Sequence, residues 1–459
     1  MEMTTAQVWQ MVAAAMVLLM TPALAFFYGG MTRAKSVLNM MMMSFVAVGA
    51  VGVVWVLWGF SMASGGTSMG GLFGDPLTAF GLRGLLEGES FDAGVLINVG
   101  YQATFAIITV ALISGAIADR AKFGAWAVFA PIWVSLVYCP IAFWVWGGGL
   151  LSSEGAIGSW AGEAIDYAGG TVVHINAGVA GLVLALILGK RQGFGKDPRQ
   201  RPHSIPFVML GAALLWFGWF GFNGGAATEA GEAGLIWINT LAAPGAAMIG
   251  WLLTERFRDG KSTSFGAASG IVAGLVAITP ACANVTPVAA IALGLVAGVA
   301  SALAVGLKYR WGYDDSLDVV GVHLVSGVIG TLALGFVALP SGEGHVGGLF
   351  YGGGLAQLWA QLVAVVVAML WTAVLTAIIG LAIHKTMGFR ISREEEVAGI
   401  DLDQHAETAY EFGGLGTGSR FVPHPATSGH LQSRHATAGA GGGAPGTGTG
   451  TAQTKNQEK

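Results

Sequence analysis

Eleven stretches of this chain run for about 20 residues without one Lys, Arg, Asp or Glu, a pattern that leaves a soluble fold no way to bury them all. They lie at approximately 6–31, 37–62, 94–118, 124–149, 168–189, 205–226, 233–253, 264–283, 286–307, 319–338 and 353–383. About 20 apolar residues in a helix cover ~30 Å of hydrocarbon, and a helix satisfies its own backbone N–H and C=O groups there. With 54% hydrophobic and 10% charged residues, the composition is that of a polytopic membrane protein. The expected fold is all-α with eleven transmembrane helices.

Direction follows from the charges. Ala23-Leu24-Ala25 imitates a signal cleavage site, but Glu2 is the only charge ahead of the first block. The apolar run is also too long for the core of a signal peptide. The first block therefore reads as a retained helix with its N-terminus outside. All but one of the 22 Lys and Arg residues, Arg83, then fall on the cytoplasmic side, and so does the C-terminus. Glycine, 73 residues, is spread through the apolar blocks, where small residues let helices approach closely in lipid. Cys139 and Cys282 have neither disulfide nor metal spacing and read as packing residues.

Two blocks carry an imidazole: His174 in the fifth and His323 in the tenth, each on a Val-His step. A titratable ring at membrane depth faces a protein interior or a pore, so a conduit for a small polar or ionic solute is the leading reading. The plainer alternative is two hydrogen-bonded residues joining neighbouring helices. Asp166 and Asp318 stand at the starts of these segments and read as helix caps, while Asp314 and Asp315 read as solvated loop charges. Five helices is an odd number, so a second set of five enters from the opposite side. This makes a 5+5 inverted repeat, about 6–189 and 205–338, with its binding site near the midplane. The eleventh helix, 353–383, stands outside the repeat. At ~1.5 Å per residue each ring lies roughly 6–13 Å in from its own surface, which leaves open whether the two touch.

The transmembrane domain thus spans 1–385. Residues 386–412 are rich in charge and read as a partly ordered cytoplasmic region. Residues 413–459 are Gly-, Ala- and Thr-rich and read as disordered, with His424, His430 and His435 solvated rather than metal-binding.

Several strings carry a family resemblance: FFYGGMTRAKSVLN at 26–39, QATFAIITVALISGAIADR at 102–120, PIAFWVWGGGLL at 140–151, DYAGGTVVHINAGVAGL at 166–182, WFGFNGG at 219–225, ITPACA at 278–283 and DDSLDVVGVH at 314–323. With GIDLDQHAETAY at 399–410, the chain resembles the Amt/Mep/Rh ammonium transporters, and the bacterial Amt branch above all, over about residues 6–412. The resemblance implies a transporter rather than an enzyme, a homotrimer with one pore per monomer, and a place in the cell (inner) membrane. It implies ammonium as the solute, with methylammonium as its analogue. Phe105 and Trp146 become the outer recruitment site, supported from below by Asp166. Phe105 and Phe222 become the stacked rings closing the pore, His174 and His323 its paired imidazoles, and Trp219 a further part of its lining. It also implies a PII-type signal protein on the cytoplasmic side, for which the Lys190–Arg201 loop and residues 386–412 are expected contacts.

Two departures from the family pattern stand out. Ala226 occupies the place of a serine in the recruitment site, and Ala406 that of a glycine in the tail motif. Outside the transporter reading stand an ammonium sensor with little flux and a haem or metal redox protein using the two histidines as axial ligands. Nothing else in the sequence calls for a cofactor.

Overall fold

The computed structural model describes residues 3–87, 93–196, 201–340 and 347–410, and its helices answer the hydropathy pattern one for one. Among these residues eleven helices are long and apolar enough to cross a membrane: Thr5–Met31, Val37–Gly59, Gly94–Ile117, Phe123–Trp146, Gly170–Leu188, Ile205–Gly224, Ala230–Asp259, Ser264–Ala281, Pro287–Trp311, Val320–Val337 and Ala356–Thr386. They are called here spans one to eleven. Several starts are written locally. Thr4 and Gln7 form a reciprocal cap on span one, and Ser204, Thr263 and Thr286 accept the first free N–H groups of spans six, eight and nine. The seventh and ninth spans outrun their uncharged cores, because Arg256, Arg258 and Asp259, and Lys308 and Arg310, continue the same helices.

The two halves lock into each other by matching devices. Span three ends in a tight 3₁₀ turn, Ser114–Ile117, and span eight in another, Thr279–Ala281. The chain ahead of span ten hooks onto the first, with Ser316 N–H donating to the Ala116 carbonyl at 3.2 Å; the chain ahead of span five hooks onto the second, with Tyr167 N–H donating to the Pro280 carbonyl at 3.1 Å. Spans five and ten both open in wide π-helical turns, Gly170–Ile175 and Val320–Leu324, and each turn carries its histidine. Such turns recur at functional sites, where they re-aim a side chain. Four residues after each histidine stands a glycine, Gly178 or Gly327. A Cβ on Gly178 would lie 2.6 Å from that of Leu324, and one on Gly327 would lie 3.3 Å from that of His174. Hydrogen in place of a side chain is what lets spans five and ten cross this closely.

The capping aspartate of span ten is not the one expected. Asp315, 1% exposed, accepts from the N–H groups of Val319 and Val320 at 3.1 and 2.7 Å. Asp318 sits instead at a left-handed φ of 64° and binds Lys308. Asp314 is equally buried: its carboxylate takes Arg191 at 2.9 Å, and Arg191 reaches on to Asp119 at 3.1 Å. These aspartates are not solvated, because the loop that carries them folds inward onto span three rather than out into water.

Residues 387–410 fold back over the ends of the spans. Asp401 accepts from Leu38 and Asn39 N–H at 3.0 and 2.8 Å, capping span two. His405 reaches Asn39 at 3.0 Å, Gln404 accepts from Phe123 N–H at 3.1 Å, and His203 meets the Tyr410 hydroxyl at 2.8 Å. Ala406 adopts φ 54°, the left-handed conformation that glycine takes without strain. The expected low-complexity tail at 413–459, with its three histidines, lies outside the described residues.

Candidate functional site

Spans five and ten carry the two histidines, and spans three, four and six pack aromatic residues around them. Phe105 and Phe222 stack at 4.2 Å between ring centroids and 26° between planes. Trp146 stands edge-on to Phe105 at 6.1 Å. Both phenylalanines are buried. Beneath them His174 lies 6.1 Å from Phe222, and Trp219 stacks on His174 at 5.5 Å. Trp219 is held there by its indole N–H, which donates to the Thr279 hydroxyl at 2.8 Å.

The two imidazoles do touch. Their Nδ1 atoms face each other at 3.4 Å, with centroids 5.5 Å apart and planes 23° from parallel. A hydrogen bond across this gap requires one Nδ1 to carry a proton and the other to accept it. The His174 Nε2 is buried with no protein partner. The two histidines, with Trp219 and Phe222, line a void of about 10 Å³ whose remaining walls are apolar, including Met20, Leu24, Ile108 and Leu215. That is room for about one water-sized molecule. A porphyrin does not fit, so the axial-ligand reading of the histidines fails on space.

Asp166 organises the start of span five. Its carboxylate accepts four backbone N–H groups, from Gly169, Gly170, Thr171 and Val172, at 2.5 to 3.1 Å. Burial pushes its pKa up to about 6, and these four donors pull against that rise. Its own carbonyl accepts the Trp146 indole N–H at 2.9 Å, which fixes that ring. Ala226 lies exposed on the turn after span six.

Three residues at this end escaped the sequence reading. Tyr101 packs on Phe105 at 4.9 Å, and its hydroxyl donates to the Phe222 carbonyl at 2.7 Å, tying the two gate helices together. Its place one helical turn before Phe105 was the available signal. Glu232, in the first turn of span seven, accepts from the Tyr167 hydroxyl at 2.9 Å and places a carboxylate near the 226–228 turn. Thr279 lies within the ITPACA string at 278–283, but nothing in that string singled it out beyond its polarity inside an apolar block.

Stacked buried phenylalanines, paired imidazoles and a small, mostly apolar void thus lie together inside a bundle of eleven membrane-length helices, the architecture of a polytopic membrane protein. The chain matches the Ammonium Transporter Family over residues 8–410. It is 52% identical over 442 residues to an ammonium transporter of Mycobacterium tuberculosis, covering 90% of this chain and 92% of that one. Among solved structures it resembles Saccharomyces cerevisiae Mep2, at TM-score 0.77 and 35% identity over 89% of this chain and 92% of that one. It also resembles a "Sensor Amt Protein", at TM-score 0.78 and 29% identity over 87% and 98%. The chain belongs to the ammonium transporter family, a family of multi-pass membrane transporters and not of enzymes.

Proposed function

We propose that this transporter takes up ammonium by recruiting the cation at an aromatic mouth, stripping one proton from it, and passing neutral ammonia along the histidine-lined bore. The observation that carries the reading is the pair of imidazoles 3.4 Å apart in an otherwise apolar passage behind two stacked phenylalanines. Burying a bare ammonium ion in such a bore is prohibitive. The faces of Trp146 and Phe105 offer cation–π attraction of about 0.5–2 kcal/mol each, enough to gather the ion at the mouth and not to carry it further. Deprotonation resolves the conflict: NH4+ yields NH3, which crosses as a neutral molecule, and H+, which travels along the shared-proton pair. The opposite tautomers of His174 and His323 present ammonia with both a donor and an acceptor. Net charge then moves with each ammonia.

Asp166 holds the Trp146 ring and the span-five backbone in place, and Trp219 lines the path beside His174. The N-terminus lies outside and residues 386–412 face the cytoplasm, since that orientation puts all but one of the basic residues inside. The working unit is a homotrimer in the cell membrane, inhibited from inside by a PII-type protein. Within the Lys190–Arg201 loop Arg191 is buried against Asp119 and Asp314, so it holds the loop's base and leaves partner contact to its neighbours. The transporter role, rather than a low-flux sensor, has the support of the named relatives at higher identity.

The test is uptake into proteoliposomes loaded with a pH indicator. Wild type should move ammonium at a rate proportional to protein density, and Phe222→Ala should change that rate without abolishing folding. Ammonium binding with no protein-dependent flux would favour the sensor.

A further inference from the structure

Both mouths of the bore are built on one plan and finished with opposite chemistry. Eight residues before His174, Asp166 caps span five, and the donor to its carbonyl is the Trp146 indole at 2.9 Å. Eight residues before His323, Asp315 caps span ten, and the donor to its carbonyl is the Lys308 ammonium, also at 2.9 Å. Trp146 closes span four and Lys308 lies in the last turns of span nine, the two spans that a five-plus-five repeat equates. Three residues after each aspartate the backbone turns left-handed. The first turn uses Gly169, at φ 109°, and the second uses Asp318, at φ 64°, a conformation that L side chains rarely adopt. The carboxylate placed there takes Lys308 Nζ at 2.6 Å.

Lys308 is 5% exposed and borders a cavity of about 160 Å³ at this mouth. Arg33, Arg191 and Arg201 line the same cavity, against the carboxylates of Asp119 and Asp318, with Arg191 shared with Asp314. One mouth therefore offers a ring face and the other a fixed cation.

We propose that Lys308 is a specificity-determining residue of the second mouth: its tethered ammonium stands where the first mouth offers an aromatic ring, and it keeps free ammonium from being held there. This rests on the ammonium reading of the bore. Its consequence is that ammonia reprotonated at the Lys308 mouth leaves without lingering, and accumulated ammonium on that side does not occupy the pore. A passive conduit at zero potential gives the same flux per unit concentration from either side when concentrations are low. The asymmetry must therefore be read in the half-saturating concentrations.

The experiment measures ammonium-evoked current in excised membrane patches that present each face in turn. Wild type should half-saturate at a concentration at least tenfold higher from the Lys308 face than from the Trp146 face. Lys308→Gln, which keeps a donor for the Asp315 carbonyl, and the paired neutral variant Lys308→Met with Asp318→Asn should bring the two values within threefold. Lys308→Arg should retain the difference. Equal half-saturation in wild type, or a tenfold difference surviving in both neutral variants, overturns the proposal. Absence of any ammonium response from either face of wild type would overturn the reading of the bore itself, and this proposal with it.

Discussion

His174 and His323 meet Nδ1 to Nδ1 at 3.4 Å, so in the proposed mechanism the position of one proton decides which ring donates to the solute. Around them the residue-level account makes two predictions. Ala226→Ser adds a hydroxyl beside the gate, and a hydrogen bond to a charged group contributes about 1.5–3 kcal/mol when buried. On this exposed turn the gain should be smaller, a few-fold lower half-saturating ammonium concentration in concentration-dependent uptake; an unchanged or higher value contradicts it. Asp166, with its pKa raised to about 6 by burial, takes up a proton as pH falls through that value. The negative field under Trp146 is then lost. Half-saturation should rise several-fold between pH 7.5 and 5, a range in which ammonium is nearly all cationic. A flat profile would show that the carboxylate does not act on the cation. The histidines were legible because a polar ring in an apolar block has few reasons to exist. The cap of span ten is Asp315 and not the expected Asp318. In a run reading Asp314-Asp315-Ser316-Leu317-Asp318 composition does not choose among three carboxylates, whereas the eight-residue spacing shared with Asp166 and His174 would have chosen Asp315.

The helix pair and the folded-back tail show what segments contribute beyond residues. Gly178 lets span five approach span ten where the histidines meet. Gly178→Val should force the spans apart and cost about 1–3 kcal/mol by overpacking. Current should fall with it, although His174 and His323 are untouched. In the tail, Asp401→Ala removes the acceptor for two N–H groups of span two, a loss of about 0.5–2 kcal/mol. Ala406→Gly relieves a left-handed backbone and should gain about 1 kcal/mol. Protease accessibility of residues 387–410 in detergent should rise in the first variant and fall in the second. Hydropathy located all eleven spans to within a few residues, since burial in lipid is written in every side chain of a span. It could not show the tail's contacts. Those are single hydrogen bonds between segments some 200 to 360 residues apart, and no local pattern encodes them.

As a whole, the molecule repeats one frame at the starts of spans five and ten and finishes it with Trp146 in one copy and Lys308 in the other. Its outer belt is apolar: Leu186, Leu370, Val374 and Ile378 are all more than half exposed, as lipid or a second copy requires. The homotrimer expectation is checked by mass in mild detergent, where three chains of 47.1 kDa should travel together and a lone chain would contradict it. The central claim, that charge enters as ammonium and ammonia passes the paired imidazoles, is tested most directly by charge movement in proteoliposomes after an ammonium pulse. Wild type is compared there with His174→Ala and His323→Ala. The account predicts a wild-type current that decays faster at higher protein density and is lost or sharply reduced in both variants. A full current in either variant, or ammonia flux without current in wild type, would contradict it.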